Sequence, residues 1–244
     1  MQQILLLGDS LTEQGFSSGW VSRLSDAYVR RADVLNRGLS GYNTRWLLSV
    51  LRSDESRHHL FPEHVTRPLF VTILIGTNDC SLGGQGVPLQ EFKGNLRILL
   101  DIVRKRLSPI GGIFLMTPPP INGKEWNKWL QDNGIDPATG QTPDNVLRYR
   151  DAVAQIGLME SKEFKDVTVI DLHDVFLGPN AEAKGGEEGP WCKYFSDGLH
   201  FNEDGGKLVY DALMSAIRRS ACADCIAPEN ITPSLPDFMV LMKG

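Results

Sequence analysis

Ser10 stands in Gly8-Asp9-Ser10-Leu11, directly after the apolar run Ile4-Leu5-Leu6-Leu7. A buried run of branched residues that stops at Gly-Asp-Ser reads as a strand entering a tight turn, so the Ser10 hydroxyl should emerge at the carboxyl end of that strand. In an open parallel sheet, that edge is where ligands bind. A serine hydroxyl is a weak nucleophile near neutrality and needs a base beside it, most often a histidine whose other nitrogen is held by a carboxylate. Asp197-Gly198-Leu199-His200 offers both groups in one short Gly-containing turn. Each tetrapeptide also has a plainer reading. Gly, Asp and Ser end strands in any case, and Asp197 and Asn202 could simply shape the turn and cap the helix expected from Glu203.

Acyl transfer also requires hydrogen-bond donors aimed at the oxygen that becomes negative in the tetrahedral intermediate. Two further loops carry suitable groups. In Gly38-Leu39-Ser40-Gly41 the missing side chain of Gly41 lets its backbone N–H come close to an anion, and in Gly76-Thr77-Asn78-Asp79 the Asn78 amide is a neutral donor. Ser10, Gly41 and Asn78 each fall just beyond a successive predicted strand, where parallel topology brings loop residues together.

Other reactive side chains fit less well. His58, His59 and His64 lie in a polar stretch without partners and read as a solvated loop. His173, in Asp171-Leu172-His173-Asp174, could line the site, although a hydrogen-bonded histidine at a strand end is the simpler reading. Gly15-Phe16-Ser17-Ser18-Gly19 matches Gly-x-Ser-x-Gly in form, yet no strand runs into Ser17. Cys222 and Cys225 make a lone Cys-x-x-Cys pair, short of the four ligands of a structural zinc site and far from a strand-to-helix turn. Neither a Gly-x-Gly-x-x-Gly nor a Walker A loop is present. Trp20, Trp46 and Trp191 read as packing residues, whereas Trp126 and Trp129, in a long connection, are candidates to line an acyl or alcohol pocket.

The elements that must position these groups follow from periodicity. Strands are expected at Ile4–Leu7, Val34–Asn36, Phe70–Ile75, Ile113–Met116 and Val167–Asp171. Helices are expected at about Trp20–Arg31, Thr44–Leu51, Leu89–Leu107, Val146–Lys162 and Glu203–Arg219. This alternation predicts an α/β fold with a mainly parallel sheet. Two long connections, Thr117 to about Asp144 and His173 to Asn202, have lengths usually reserved for function or mobility. We divide the chain into a catalytic domain, 1–219, and a tail, 220–244, whose apolar Phe238–Met242 packs on the domain or on a partner subunit as the arm of a homodimer.

Composition narrows the classes. The 244 residues, 41% hydrophobic and 23% charged, suit one α/β domain with a full core. A net charge of −5 without a dense Lys/Arg block argues against nucleic-acid and anionic-membrane partners. The start at Met1-Gln2-Gln3 lacks the charged and long apolar regions of a secretory signal, no segment reaches transmembrane length, and four scattered cysteines are not a disulfide framework; the expected setting is cytoplasmic.

Taken together, four ordered blocks resemble the GDSL, or SGNH, hydrolase family: Gly8 to Leu11, Asn36 to Gly41, Gly76 to Asp79, and Asp197 to His200. The resemblance implies a three-layer, flavodoxin-like α/β/α sandwich with a five-stranded sheet and a triad of Ser10, Asp197 and His200. It also implies an oxyanion hole made by the N–H groups of Ser10 and Gly41 and the Asn78 side chain. Within the same framework Asp9, Leu11, Thr77 and Trp126 are assigned to substrate contact, with no metal or organic cofactor. Thr117-Pro118-Pro119-Pro120 followed by Trp126 resembles the isoamyl acetate-hydrolysing esterase branch, which implies short-chain acyl esters as substrates, with water completing the cycle. Thioester, lysophospholipid and acetylated-sugar substrates remain alternatives on the same site, and a non-catalytic binding or scaffold protein is the alternative of another class. The acidic stretch from Glu182 to Glu188 matches no part of the shared pattern.

Overall fold

The computed structural model describes residues 1–62, 67–178 and 188–242. His64 and residues 182–187 of the acidic stretch therefore lie outside the described residues. Five strands, β1 (Gln2–Gly8), β2 (Ala32–Gly38), β3 (Val71–Leu74), β4 (Ile113–Met116) and β5 (Val167–Ile170), form one sheet in the order β2-β1-β3-β4-β5. Every pairing is parallel. Because the chain passes from β1 outward to β2 and then back across to β3, the order reverses at β1, which makes that point the topological switch of the sheet.

The inner strands are largely apolar on both faces, whereas the edge strand β2 carries Asp33, Asn36 and Arg37. Leu5 and Leu7 of β1 pack on one side with Val71, Ile73, Ile113 and Leu115, while Ile4 and Leu6 pack on the other with Leu74, Phe114 and Met116. Period-two alternation thus feeds two cores, each covered by helices. In chain order the helices are α1 (Ser10–Glu13), α2 (Trp20–Ala27), α3 (Thr44–Arg52), α4 (Arg57–Leu60), α5 (Leu89–Leu107), α6 (Gly123–Asp132), α7 (Pro143–Glu163), α8 (Leu172–Leu177), α9 (Glu203–Arg219), α10 (Ala223–Ile226) and α11 (Phe238–Leu241). Leu47, Leu96 and Val153 of α3, α5 and α7 join the first core, and Leu24 and Val209 of α2 and α9 join the second. The result is a three-layer α/β/α sandwich.

Three departures from the periodicity have local causes. Helix α2 ends at Ala27 rather than Arg31, and Arg30 takes a left-handed φ of 61° that turns the chain into β2. Helix α7 begins a turn early because Thr142 accepts a hydrogen bond from Asn145 N–H and Pro143 occupies the first turn, where a missing N–H costs nothing. Helix α6 was not expected: Asn122 caps it by accepting from Glu125 N–H, and Trp126 and Leu130, four residues apart, face the core.

The tail returns to the domain it leaves. Ile226 is fully buried, the Tyr28 hydroxyl donates to the Ile226 carbonyl at 2.5 Å, Arg31 Nε donates to Ile231 O at 3.1 Å, and Ser234 N–H donates to Arg30 O at 2.7 Å. Beyond Pro236, Phe238 to Met242 are exposed. Among the described residues no helix is long and apolar enough to cross a membrane.

Candidate active site

The turn after β1 is itself the first turn of a helix. Asp9 caps α1 with Oδ1, accepting from Leu11 N–H at 3.0 Å, and this fixes Ser10 as the first helical residue. Leu39 to Asn43 follow β2, and Gly76 to Asp79 follow β3. Both strands pair with β1, so these loops lie on either side of Ser10. The fourth segment, Ser196 to His200, reaches the same edge from the far end of the chain, braced by a bridge between Phe195 and Phe201.

Here Ser10 Oγ lies 3.0 Å from His200 Nε2, and His200 Nδ1 lies 2.7 Å from Asp197 Oδ2. Asp197 divides its labour between two oxygens. Oδ1 accepts from Leu199 N–H at 3.0 Å and His200 N–H at 2.8 Å and so shapes the turn, while Oδ2 orients the ring. The contacts that shape the turn and the contact to the imidazole thus use two different oxygens of one carboxylate. Burial opposes its charge, but the hydrogen bonds from the His200 ring and backbone outweigh that, so the carboxyl lies below its ordinary value and stays ionised. Gly198, with φ of 93°, lets the turn rest on α6: a Cβ there would meet Trp126 N at 2.5 Å and Asn122 O at 2.6 Å, and Asn122 N–H donates to the Gly198 carbonyl at 2.8 Å.

Ser10, Gly41, Asn78 and His200 all line one cavity of about 520 Å³, a volume typical of small-molecule sites. Among the described residues, the N–H groups of Ser10 and Gly41 donate to no protein acceptor, and Asn78 Nδ2 uses one hydrogen on Tyr42 O at 2.9 Å. Trp126, Trp129, Leu130, Ile135 and Leu199 supply an apolar wall. The two indoles stack at 4.8 Å and 8°, and Trp126 meets the His200 ring edge-on at 6.0 Å. Uncharged polar residues and glycines, among them Gln14, Ser40, Gln85, Thr139 and Gln141, make up the rest of the lining, so His200 is its sole titratable side chain among the described residues.

Three of the four residues assigned to substrate contact do not reach this cavity. Asp9 is fully buried because its side chain turns back to cap α1, and Leu11 points into the core while its carbonyl accepts from Trp20 Nε1 at 3.0 Å. Thr77 lies behind the wall, its carbonyl accepting from Gln141 Nε2 at 3.1 Å. In a tight strand-to-helix turn the residues flanking an outward serine face inward, which is why adjacency in sequence misled here. Only Trp126 lines the cavity. Gln14, Gln85, Leu130, Ile135, Thr139 and Gln141 were missed; the apolar members carried a signal in the spacing of Trp126, Trp129 and Leu130 on one helix face.

The buried carboxylates beneath the site are unusual. Burial, opposed by the Leu11 N–H and reinforced by Asp79, pushes the Asp9 carboxyl up to about 7, and its Oδ2 has no partner among the described residues. Burial likewise pushes Asp79 up to about 6, although Thr44 donates its N–H at 3.0 Å and its hydroxyl to that carboxyl. His173 is buried and does not line the cavity, and its Nδ1 has no hydrogen-bond partner among the described residues. Ser17 is exposed and donates to Gln14 O at 2.8 Å. Trp20 and Trp191 are buried, whereas Trp46 is 40% exposed with its ring edge-on to Tyr42. All four cysteines are unpaired, and among the described residues no three His, Cys, Asp or Glu side chains converge in a metal-binding group.

The sequence model of the GDSL-like lipase/acylhydrolase family matches residues 6–208, a span that runs from β1 through the Asp197–His200 turn. The chain belongs to this family. It is 34% identical over 244 residues to a GDSL esterase/lipase of Arabidopsis thaliana, covering 96% of this chain and 91% of the relative. It is 33% identical to an isoamyl acetate-hydrolyzing esterase 1 homolog of Bos taurus over 99% of this chain and 93% of the relative. With the isoamyl acetate-hydrolyzing esterase of Saccharomyces cerevisiae it shares 30% identity over 88% and 86% of the two chains. The same fold occurs in the crystal structure of a lipase/acylhydrolase from Enterococcus faecalis, with a TM-score of 0.63 at 20% identity over 97% and 100% of the chains. The protein is a carboxylic ester hydrolase of the GDSL type.

Proposed function

We propose that this hydrolase cleaves uncharged esters of short acyl groups through a covalent acyl-enzyme on Ser10. The observation that carries the reading is the unbroken line Asp197–His200–Ser10, with contacts of 2.7 Å and 3.0 Å, opening into a cavity whose lining, among the described residues, holds no Asp, Glu, Lys or Arg. His200 Nε2 takes the Ser10 proton as Oγ attacks the ester carbonyl, and Asp197 stabilises the imidazolium that forms. The carbonyl oxygen, now negative, receives hydrogen bonds from the N–H groups of Ser10 and Gly41 and from the Asn78 amide. His200 then protonates the departing alcohol, and the same groups guide water through the second half of the cycle.

Substrate class follows from the lining. A phosphate-bearing thioester or lysophospholipid would be expected to meet lysine or arginine near the site, and the cavity lining offers none among the described residues. Indole rings and aliphatic side chains favour an alkyl or aryl group instead. Relatives named as isoamyl acetate-hydrolyzing esterases support the same class. The test is turnover of isoamyl acetate, p-nitrophenyl acetate and acetyl-CoA by the wild type and by Ser10→Ala. Turnover of both esters that vanishes in Ser10→Ala is expected; preference for the thioester, or equal rates in the two proteins, would overturn the reading.

A further inference from the structure

We propose that Gln85 is a positioning residue for the anion-binding loop: by holding the Gly41 carbonyl it keeps the Gly41 N–H where the reacting oxygen will be. The inference rests on the proposed serine chemistry and adds a group that none of the four sequence blocks contains.

The loop after β2 is a turn in which Tyr42 N–H donates to Leu39 O at 3.1 Å. Gly41 takes φ of 79°, the conformation such a turn needs at its third position. Glycine makes that turn accessible and also leaves it loose. The peptide units around the reactive one are tied down. Before it, Ser40 donates both its N–H and its hydroxyl to the Glu13 carboxylate at 2.7 Å. After it, Gln85 Nε2 donates to Gly41 O at 2.9 Å and Asn78 Nδ2 donates to Tyr42 O at 2.9 Å. The peptide that carries the Gly41 N–H lies between these anchors, and both residues it joins, Ser40 and Gly41, line the cavity.

Gln85 is suited to the task because it is held by the loop that it holds. Its own carbonyl accepts from Asn43 Nδ2 at 2.7 Å, and Val87 N–H, two residues on, donates to Asp79 O at 2.9 Å. The loop after β3, which carries Asn78, is thereby locked to the loop after β2, which carries Gly41. Two donors from different loops must converge on one oxygen at about 2.7–3.1 Å, and a displacement of about 1 Å costs roughly 10²-fold in rate. A hydrogen bond between the loops protects that convergence.

Gln85→Met preserves length and removes the donor; Gln85→Ala removes it with no new side chain to accommodate. Both should lower kcat about tenfold with KM within about twofold, and weaken binding of a trifluoromethyl ketone, whose adduct carries the oxyanion, by the same factor as kcat. The melting temperature should stay close to that of the wild type, as suits a half-buried loop side chain. Unchanged kcat in either folded variant, or a rise in KM at constant kcat, would overturn the inference. Ser10→Ala in the same assay separates the two levels. If it retains full turnover, the serine reading fails and this one with it; if it is inactive while Gln85→Met is unimpaired, only the positioning role falls.

Discussion

One wall of the cavity is a web of hydrogen bonds and the other is a stack of rings, and each resists a different kind of change. Ser10, Gly41 and Asn78 stand on loops fastened to β1, β2 and β3, with buried Asp9 and Asp79 beneath them. Trp126, Trp129 and Leu130 stand on a single helix and owe their places to packing, with Trp126 Nε1 donating to Gln141 Oε1 at 2.8 Å as their polar tie. Hydrogen bonds have direction, so the first wall can hold a donor against a particular atom. Ring contacts are broad and tolerant, so the second accommodates a range of groups with little change in rate.

If that contrast is right, damage to the polar wall should appear in kcat and damage to the apolar wall in KM. The largest effect is expected from Ser10→Ala, about 10⁴-fold or more in kcat, with Ser17→Ala within about twofold of wild type. A comparable loss in Ser17→Ala would break the assignment, and steady-state kinetics decide it. Asn78→Ala should follow, at about 10² to 10³ in kcat, or ~2.7–4 kcal/mol, with KM little changed. Full kcat in the folded variant would remove Asn78 from the set of donors.

The base of the polar wall should also register in stability. Asp9 has an ordinary value of 3.8 and rises to about 7 in the fold, so between those values the native state holds the proton more tightly than the unfolded chain. Its contribution is therefore most favourable below 3.8 and is lost as pH climbs through about 7. On this account Asp9→Asn should flatten the stability profile by on the order of 2–3 kcal/mol between about pH 5 and pH 8, measured by urea unfolding. An unaltered slope would mean that Asp9 is not the group responsible. The smallest effect belongs to the apolar wall: Trp129→Ala should raise KM for esters with aryl or long alkyl groups by about three- to tenfold, at nearly constant kcat. A selective fall in kcat instead would show that the rings do more than receive substrate.

The same contrast explains what could be read in the sequence. The polar wall was legible because its groups need particular residue types at strand ends, so Ser10, Gly41, Asn78, Asp197 and His200 stood out in ordered blocks. The sheet was legible too, since runs such as Ile4 to Leu7 and Ile113 to Met116 have one reasonable environment. The apolar wall was half legible: Trp126 and Trp129 stood out as indoles in a long connection, but Leu130 and Ile135 have the composition of ordinary core, and the Asn122 cap that starts the helix follows three prolines. Gln85 was hidden for another reason. It works through a backbone carbonyl, and a glutamine in a Gly-rich loop carries no mark of the atom it will meet.

Gly198 joins the two walls, and this has a consequence for redesign. The turn that carries His200 lies against the backbone of Asn122 and Trp126, leaving no room for even a methyl group between them. The first turn of α6 is thus a shared post, while Trp129 and Leu130 farther along the helix, and Ile135 just beyond its end, line the cavity away from that contact with Gly198. Libraries seeking a new range of esters should vary Trp129, Leu130 and Ile135 and leave the post alone, since any shift there moves His200 along with the pocket.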